Sequence, residues 1–337
     1  VTGRTWTLIW VCPACHGALT TGPDSVRCSM CGVNYPTIGN IPDLRISGYN
    51  WLDYDKDLEN AIELHALSNT LSLEDMVYTV FARQAGFDES RVRLRTRQVL
   101  EGCTRYKEAI SGWLAGGLDN TGTVLEIGCG GGMLTAAIAP YSETALGIDI
   151  SMEWLVVAER YIMEHGGTPC LAAASGEDIP LPANSIGLVA SLDVIEHVHD
   201  PARYLSEIDR ILKPGGRVAL STPNRYSLTA EPHVFVWGVG WIPRRWQKKY
   251  VKLLSGKEYN YTCLLSYRDL KRMIRENTLI NAMILPGTVP ESEISSFPNL
   301  RGRLARLYNY IHRWPVIRQL LLVICPFFQI TGIKLQA

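Results

Sequence analysis

The sequence lacks several features that would each place it in a special class of proteins. It has no net charge, because 33 Lys and Arg balance 33 Asp and Glu, and it has no long low-complexity tract, so a disordered or fibrous chain is excluded. Its longest apolar run, Leu320–Phe328, is interrupted by Pro326 and is far shorter than the roughly 20 residues of a membrane-spanning helix. Val1–Val11 shows neither the charged segment nor the apolar core of a secretory signal. We therefore expect a globular, cytoplasmic chain of one large or two smaller domains.

The charge is balanced overall but uneven along the chain. Arg244–Arg318 holds fifteen Lys and Arg against five Asp and Glu. A basic segment on an otherwise acidic protein predicts an anionic partner near that surface, and a solvated helix face explains the same pattern.

Four of the nine cysteines form two CxxC pairs, and without a secretory signal we expect no disulfides. Twelve residues separate Cys15 from Cys28, which is the spacing of a zinc ribbon over residues 1–48. Four thiolates close a tetrahedral zinc site with no open position, so the metal would be structural. A redox dithiol is the alternative for one such pair, and two matched pairs favour zinc. The predicted zinc ligands are Cys12, Cys15, Cys28 and Cys31.

Residues 49–117 have a mainly helical pattern, with apolar residues such as Leu58, Ile62, Ile110, Trp113 and Leu114 at helical spacing. We expect this segment to lead into the main domain as a helical lid.

A short apolar strand then runs into a glycine-rich turn. Glu126-x-Gly128-x-Gly130-x-Gly132 provides the backbone freedom that a close ligand contact needs. The segment does not fit the dinucleotide fingerprint, because Met133 stands where the third glycine would be.

This turn resembles motif I of the class I S-adenosylmethionine-dependent methyltransferases, and the resemblance covers about residues 100–337. It implies that the loop lies against the methionine and ribose of the cofactor, and that Asp149, at the end of the next strand, accepts the ribose hydroxyls. The alternative for Asp149 is an N-cap on the following helix, a role that Ser151 can equally serve. The residues expected at the cofactor from these two segments are Glu126, Gly128, Cys129, Gly130, Gly132, Asp149 and Ile150.

Two further segments resemble the same family. Ser175, Gly176 and Glu177 follow the third strand on the adenine side, although Ser175 stands where the family commonly has an acid. Leu192 and Asp193 end the fourth strand, and Leu212-Lys-Pro-Gly-Gly216 precedes the fifth. Residues 8–46 also resemble zinc ribbons that accompany some methyltransferases.

The expected fold is an α/β, Rossmann-like, seven-stranded, mostly parallel sheet flanked by helices, with the small zinc ribbon and the helical lid before it. The methyltransferase domain would span residues 118–337, with its sixth strand at Thr278–Leu285 and its seventh at Gly332–Gln336. A basic, apolar helical insertion at about 286–329 would separate these two strands.

His197 and His233 are the candidate catalytic residues, because each follows a strand end and each can act as a base on the acceptor. His197 alternatively orders its own turn. Asp193, Glu196 and His197 resemble a segment of quinone-biosynthesis O-methyltransferases, which leaves a site for a divalent cation such as magnesium open. Tyr226, Trp237 and Trp241 are either walls of the substrate pocket or core residues.

These observations predict methyl transfer from S-adenosylmethionine to a small-molecule or lipid-like acceptor, prenylated or phosphorylated. The late helices, with Arg301 and Leu304 among their residues, would contact a membrane surface peripherally or pack against the lid. The alternatives are an RNA methyltransferase that uses the zinc ribbon for recognition, and a non-enzymatic cofactor-binding scaffold. Nucleic acid is the less favoured partner, because no RNA-binding signature is present.

Overall fold

The computed structural model describes residues 9–46, 52–84, 86–113, 121–260, 262–294 and 297–336. The ends of the predicted zinc ribbon and the predicted lid, with Leu114, lie outside the described residues. The chain divides into two compact units: Val1–Ala190 with Glu207–Gly216, and Ser191–Ser206 with Arg217–Ala337. The predicted boundaries at about 48 and 117 stay predictions.

The first unit begins with a small antiparallel sheet whose strands follow the chain order. Trp10, which precedes the strands, and Tyr35, in the third strand, are buried and give this short segment a core. The residues after the last strand then pair with a larger sheet, because the Leu44 N–H donates to the Ala173 carbonyl at 2.8 Å. The four strands are β1 (Leu19–Thr21), β2 (Ser25–Cys28), β3 (Asn34–Ile38) and β4 (Ile41–Pro42).

Seven strands form the main sheet, in the order β10-β11-β9-β8-β5-β6-β7. Strands β5, β6, β7 and β8 pair in parallel, whereas β11 is antiparallel to both β9 and β10. This arrangement confirms the predicted seven-stranded, mostly parallel sheet. The strands are β5 (Thr123–Ile127), β6 (Thr144–Asp149), β7 (Leu171–Ala173), β8 (Ile186–Leu192), β9 (Leu212–Pro223), β10 (Ile280–Pro286) and β11 (Phe327–Lys334).

The helices begin where the sequence supplies side-chain caps. Asp53, Ser72 and Asp88 each accept a backbone N–H in the first turn of α1, α2 and α3, and Ser266 forms a capping box with Asp269 at α9. The helices are α1 (Tyr54–Leu67), α2 (Leu73–Ala82), α3 (Glu89–Leu100), α4 (Gly102–Trp113), α5 (Met133–Ile138), α6 (Met152–Glu164), α7 (Pro201–Ile211), α8 (Arg244–Ser255), α9 (Tyr267–Asn277), α10 (Glu291–Ile294), α11 (Asn299–Ile311) and α12 (Pro315–Ile324).

The predicted lid forms four helices, and α1 and α2 pack on α6 while α4 packs on α5. Leu64, Met76 and Tyr161 belong to one buried cluster that also includes Ile41 from the small sheet. The N-terminal segment and the first helices therefore share a core with the helix that follows β6.

The largest differences from the predicted strand boundaries are at the starts of β9 and β11. β9 begins at Leu212 and includes the Lys213–Gly216 stretch that we expected to separate helix from strand. β11 begins at Phe327, five residues before the predicted Gly332, because Phe328 and Ile330 are buried between β9 and β10. The apolar run at 320–328 is thus divided between α12 and β11. Within the described residues, every helix is too short or too polar to cross a bilayer.

Candidate functional site

The four N-terminal cysteines are brought together at the end of the small sheet. The Cys12 and Cys31 sulfurs lie 3.7 Å apart, the Cys15 and Cys28 sulfurs lie 3.5 Å apart, and all four lie within 4.8 Å of one another. Four sulfurs at about 2.3 Å from one tetrahedral ion would be separated by roughly 3.8 Å. Gly17 is needed here, because a Cβ at that position would lie 3.0 Å from the Cys28 sulfur.

The glycine-rich turn after β5 has the backbone shape that only glycine adopts without strain. Gly128, Gly130 and Gly132 have φ of 74°, 46° and 79°. The N–H of Gly128 donates to the Ile148 carbonyl at 2.8 Å, which holds the turn against β6. A Cβ at Gly130 would meet no atom within 4 Å, whereas one at Gly132 would lie 2.9 Å from the Ala158 Cβ. The turn therefore leaves open space at its tip and packs closely on α6 at its base.

Asp149 is the last residue of β6 and is partly exposed. One carboxylate oxygen accepts the Gly130 N–H at 2.8 Å and the other accepts the Ser151 N–H at 2.9 Å. Ser151, not Asp149, is the N-cap of α6, because its hydroxyl accepts the Trp154 N–H. The alternative role of Asp149 as a helix cap is therefore wrong, and each of its oxygens keeps a second lone pair for a ligand.

The other predicted cofactor residues of the first unit are largely buried. The Glu126 carboxyl accepts a hydrogen bond from the Thr135 hydroxyl, and burial raises its pKa to about 8. The Cys129 side chain is buried, so only its backbone is suited to meet a ligand. The Ser175 hydroxyl accepts the Glu177 N–H at 3.0 Å, which orders the turn after β7. Gly176 is buried and Ile150 is partly exposed in the same unit.

The second unit brings the two candidate catalytic histidines together. The Nε2 atoms of His197 and His233 lie 3.1 Å apart. The His233 Nδ1 lies 2.5 Å from a Glu231 oxygen, and the other Glu231 oxygen accepts the N–H of His233 and of Val234. If Glu231 accepts from Nδ1–H, the His233 Nε2 carries a lone pair. Glu231 is a functional candidate that the sequence analysis missed, and its signal was an acid two residues before the histidine.

Glu196 lies beside this pair and is fully buried. One of its oxygens accepts the Thr222 hydroxyl at 3.0 Å, while the other has no hydrogen-bond partner among the described residues. Burial raises the pKa of this carboxyl well above its usual range, and the nearby Asp193 raises it further. Glu196, His197 and His233 offer ligand atoms within 4.8 Å of one another.

Asp193 does not belong to that group, which corrects the predicted set of Asp193, Glu196 and His197. Asp193 adopts φ of 57° at the end of β8, and its carboxylate accepts the Ser221 hydroxyl at 2.8 Å. This backbone conformation turns the chain sharply after the partly exposed Leu192. His233, from a loop distant in the chain, is the third member of the cluster in place of Asp193.

Of the three predicted substrate aromatics, Tyr226 and Trp241 are in contact, with ring centroids 5.2 Å apart. Trp237 and Trp241 are 61% and 49% exposed, so the alternative that they are core residues is wrong. Their indole N–H groups donate to the carbonyls of Leu228 and Ser227, which fixes both rings on the same loop.

The helices between β10 and β11 expose many apolar side chains next to arginines. Arg306 pairs with Glu291, whereas Arg301 stacks on Phe297 with its guanidinium 4.3 Å from the ring centroid. The exposed large apolar residues are Leu300, Leu304, Leu307, Tyr310, Trp314, Val316, Leu320 and Val323.

A profile for the methyltransferase domain matches residues 125–220. The ubiquinone biosynthesis O-methyltransferase of Thiobacillus denitrificans is 34% identical over 155 residues, which are 45% of this chain and 62% of that protein. The ubiquinone biosynthesis O-methyltransferase of Paracidovorax citrulli is 33% identical over 189 residues, 52% of this chain and 76% of that protein. The chain thus spans less than two thirds of the first relative and about three quarters of the second.

Among solved structures, phosphoethanolamine N-methyltransferase 2 of Haemonchus contortus in complex with S-adenosyl-L-methionine has a TM-score of 0.49 and 17% identity. The match covers 79% of this chain and 61% of that one.

Proposed function

We propose that this chain, which belongs to the S-adenosylmethionine-dependent methyltransferases, transfers a methyl group to a hydroxyl of a small biosynthetic intermediate. The glycine turn and Asp149 carry this proposal, because they combine open space for a ligand with carboxylate oxygens that retain acceptor capacity. The two relatives from Thiobacillus denitrificans and Paracidovorax citrulli are O-methyltransferases of ubiquinone biosynthesis, which favours oxygen as the acceptor atom.

The cofactor fits the residues of the first unit. S-adenosylmethionine supplies an activated sulfonium methyl group. Asp149 would accept its ribose hydroxyls, since both carboxylate oxygens can take a further hydrogen bond. The backbone of Gly128–Gly130 would lie against its methionine part, where a Cβ at Gly130 would occupy free space. Ser175, Gly176 and Glu177 would border the adenine. Leu192 and Asp193, predicted from the sequence as further cofactor contacts, stay predictions.

On the acceptor side, His233 is the better base of the two histidines. Glu231 holds its Nδ1 and so directs the lone pair to Nε2, which faces His197 at 3.1 Å. A histidine oriented by a carboxylate can take the proton of a hydroxyl as the oxygen attacks the methyl carbon. Tyr226, Trp237 and Trp241 would bind the acceptor, the two tryptophans through their exposed rings.

A divalent cation is the second interpretation of the same cluster. The unpartnered oxygen of buried Glu196 fits a metal ligand, and two imidazoles with one carboxylate suit a transition metal such as zinc or manganese. Magnesium prefers oxygen ligands, so this donor set does not support the predicted magnesium. The metal content of the wild type compared with that of Glu196→Gln separates the base from the cation. One equivalent of metal less in the variant, with the zinc of the cysteine cluster kept, would indicate the cation.

The sulfur distances of the cysteine cluster support a structural zinc held by Cys12, Cys15, Cys28 and Cys31. A closed set of four thiolates leaves no position for substrate, so zinc would stabilise the small sheet and take no part in methyl transfer.

The exposed apolar residues of α11 and α12 support peripheral contact with an anionic membrane, where a prenylated or phosphorylated acceptor would be found. Sedimentation with vesicles of zwitterionic lipid, with and without an anionic lipid, tests this contact. RNA is the alternative partner for the basic residues of α8. Steep loss of bulk RNA binding with rising salt would favour it.

Calorimetry with S-adenosylhomocysteine tests the donor site. Asp149→Ala should weaken binding by roughly 100-fold or more, because two charge-assisted hydrogen bonds of about 1.5–3 kcal/mol each are lost. Asp88→Ala is the matched control, since Asp88 also accepts backbone N–H groups in a turn but lies outside the proposed site. Retained affinity in the Asp149 variant would exclude the proposed site. Transfer of a labelled methyl group to 3,4-dihydroxybenzoate then tests the reaction.

A further inference from the structure

Two charged side chains from the N-terminal part of the chain, Arg45 and Asp57, form hydrogen bonds to the turn that carries Asp149. Arg45 follows the small sheet, and its guanidinium donates to the Ile150 carbonyl at 2.8 Å and to the Asp57 carboxylate at 2.9 Å. Ile150 lies between Asp149 and Ser151, so Arg45 forms a hydrogen bond to the backbone of the turn itself. The Arg45 side chain is only 3% exposed.

Asp57 holds the other side of the same turn. One of its oxygens accepts the Ser151 hydroxyl at 2.7 Å, and the other accepts the Met152 N–H at 2.9 Å. A carboxylate at this point also interacts favourably with the positive end of α6. Because Asp57 comes from α1 and is itself paired with Arg45, the two side chains and the turn form one connected network.

Arg45 is fixed in turn by its own surroundings. Two of its nitrogens donate to Asp43 at 2.7 and 2.5 Å, and its guanidinium stacks 4.4 Å from the Tyr54 ring centroid. Asp43 pairs with Ala173 of β7, the neighbour of β6 in the sheet. The forked guanidinium therefore has a defined orientation from which it reaches both Asp57 and Ile150.

We propose that Arg45 and Asp57 are positioning residues for the cofactor: they hold the Asp149–Ser151 turn so that the Asp149 carboxylate meets the ribose hydroxyls. The inference rests on the proposed function, because it assumes that Asp149 binds ribose. It adds that affinity for the donor depends on residues that never touch it. A planar guanidinium is needed at position 45, because Nε and Nη2 hold Asp43 while Nη1 donates to both Asp57 and the Ile150 carbonyl. A lysine has one nitrogen and cannot keep the Asp43 pair while it donates to the other two acceptors.

The test compares two ligands, S-adenosylhomocysteine and its 2′,3′-dideoxy analogue, by calorimetry on the full-length chain. Arg45→Met should lower the affinity of the chain for S-adenosylhomocysteine roughly 10- to 100-fold, which is the usual effect of removing a group that orients a ligand-binding residue. The affinity for the dideoxy analogue, which lacks the ribose hydroxyls, should fall much less in this variant. The affinity of Arg45→Lys for S-adenosylhomocysteine should lie between those of the wild type and of Arg45→Met.

Arg83→Met is the matched control. Arg83 also joins the N-terminal helices to α6, pairing with Glu153 at 2.5 Å and with Glu63 at 2.8 Å, but it does not contact the turn. Both ligands should bind this variant as they bind the wild type. If Arg45→Met does not fold by circular dichroism at the measuring temperature, Arg45→Lys and Asp57→Asn provide the same comparison.

Four outcomes overturn the inference. Unchanged binding of S-adenosylhomocysteine would show that the turn does not need Arg45, and equal weakening of both ligands would show a general structural role. If Asp149→Ala keeps the affinity and the preference for ribose hydroxyls, the proposed donor site fails first and the inference fails with it. If Asp149→Ala loses the preference for S-adenosylhomocysteine over the dideoxy analogue but Arg45→Met keeps it, Asp149 binds the ribose and only the positioning role of Arg45 is refuted.

Discussion

Replacing Glu126 by Gln should make the stability of the chain less dependent on pH. Glu126 is 6% exposed at the end of β5, and burial raises its pKa to about 8 from an ordinary value of 4.5. The folded chain therefore keeps a proton that the unfolded chain releases between these two values. The stability that this protonated carboxyl contributes is fully present below pH 4.5 and is lost as pH rises through 8.

The size of the effect follows from that difference. Roughly 3.5 pH units at about 1.4 kcal/mol each give at most about 5 kcal/mol between the two ends of the range. Gln keeps an oxygen that can accept the Thr135 hydroxyl and has no charge to bury. The free energy of unfolding of Glu126→Gln, measured relative to wild type, should therefore rise by several kcal/mol from about pH 5 to about pH 9.

Guanidinium unfolding followed by tryptophan fluorescence at several pH values gives this difference directly. Glu143→Gln is the control, because Glu143 is exposed just before β6, and its profile should run parallel to that of the wild type. A difference between Glu126→Gln and wild type that stays constant within about 0.5 kcal/mol across the range would refute the reasoning.

Three further predictions concern the metal and the acceptor side. Chelating zinc should unfold the first 45 residues, seen as lost protection in hydrogen exchange, and leave weakened but measurable binding of S-adenosylhomocysteine; unchanged stability would contradict the zinc assignment. His233→Gln should slow methyl transfer by roughly 100- to 10,000-fold while S-adenosylhomocysteine binds as before, and a normal rate would exclude His233 as the base. Trp241→Ala should raise KM for the acceptor more than it lowers kcat, and a fall in kcat alone would place Trp241 outside the binding surface.

The sequence was sufficient to predict the succession of strands along the chain and the functional residues that follow them. Apolar runs that end in glycine or in an acid mark the ends of β5 and β6, so the glycine turn and Asp149 were found from local patterns. The alternation of strands and helices indicated a parallel sheet of five strands, and the family resemblance implied the two strands that complete it. Such features depend on residues close together in the chain, and a single sequence displays them.

Contacts between distant segments were not predictable in the same way. His233 lies opposite His197 only because the loop after β9 folds back, with Glu231 anchoring two N–H groups of its own turn. No periodic pattern in that loop predicts the contact. Asp193 was assigned to the cluster because its segment resembles one in quinone-biosynthesis O-methyltransferases and because it is near His197 in the chain. Arg45 was overlooked for the same reason, since its partners lie 12 and 105 positions away.

The pairing of Leu44 with Ala173 has a consequence for the behaviour of the protein in a crowded solution. β7 is the last strand of the main sheet, and its three residues are buried. An uncovered strand at the edge of a sheet invites pairing with another chain. Asp43 and Leu44, which follow the cysteine cluster in the chain, pair with Ala173 at this edge. We expect oxidation of the four thiols, which would prevent the proposed zinc from binding, to expose this edge and to promote aggregation of the chain.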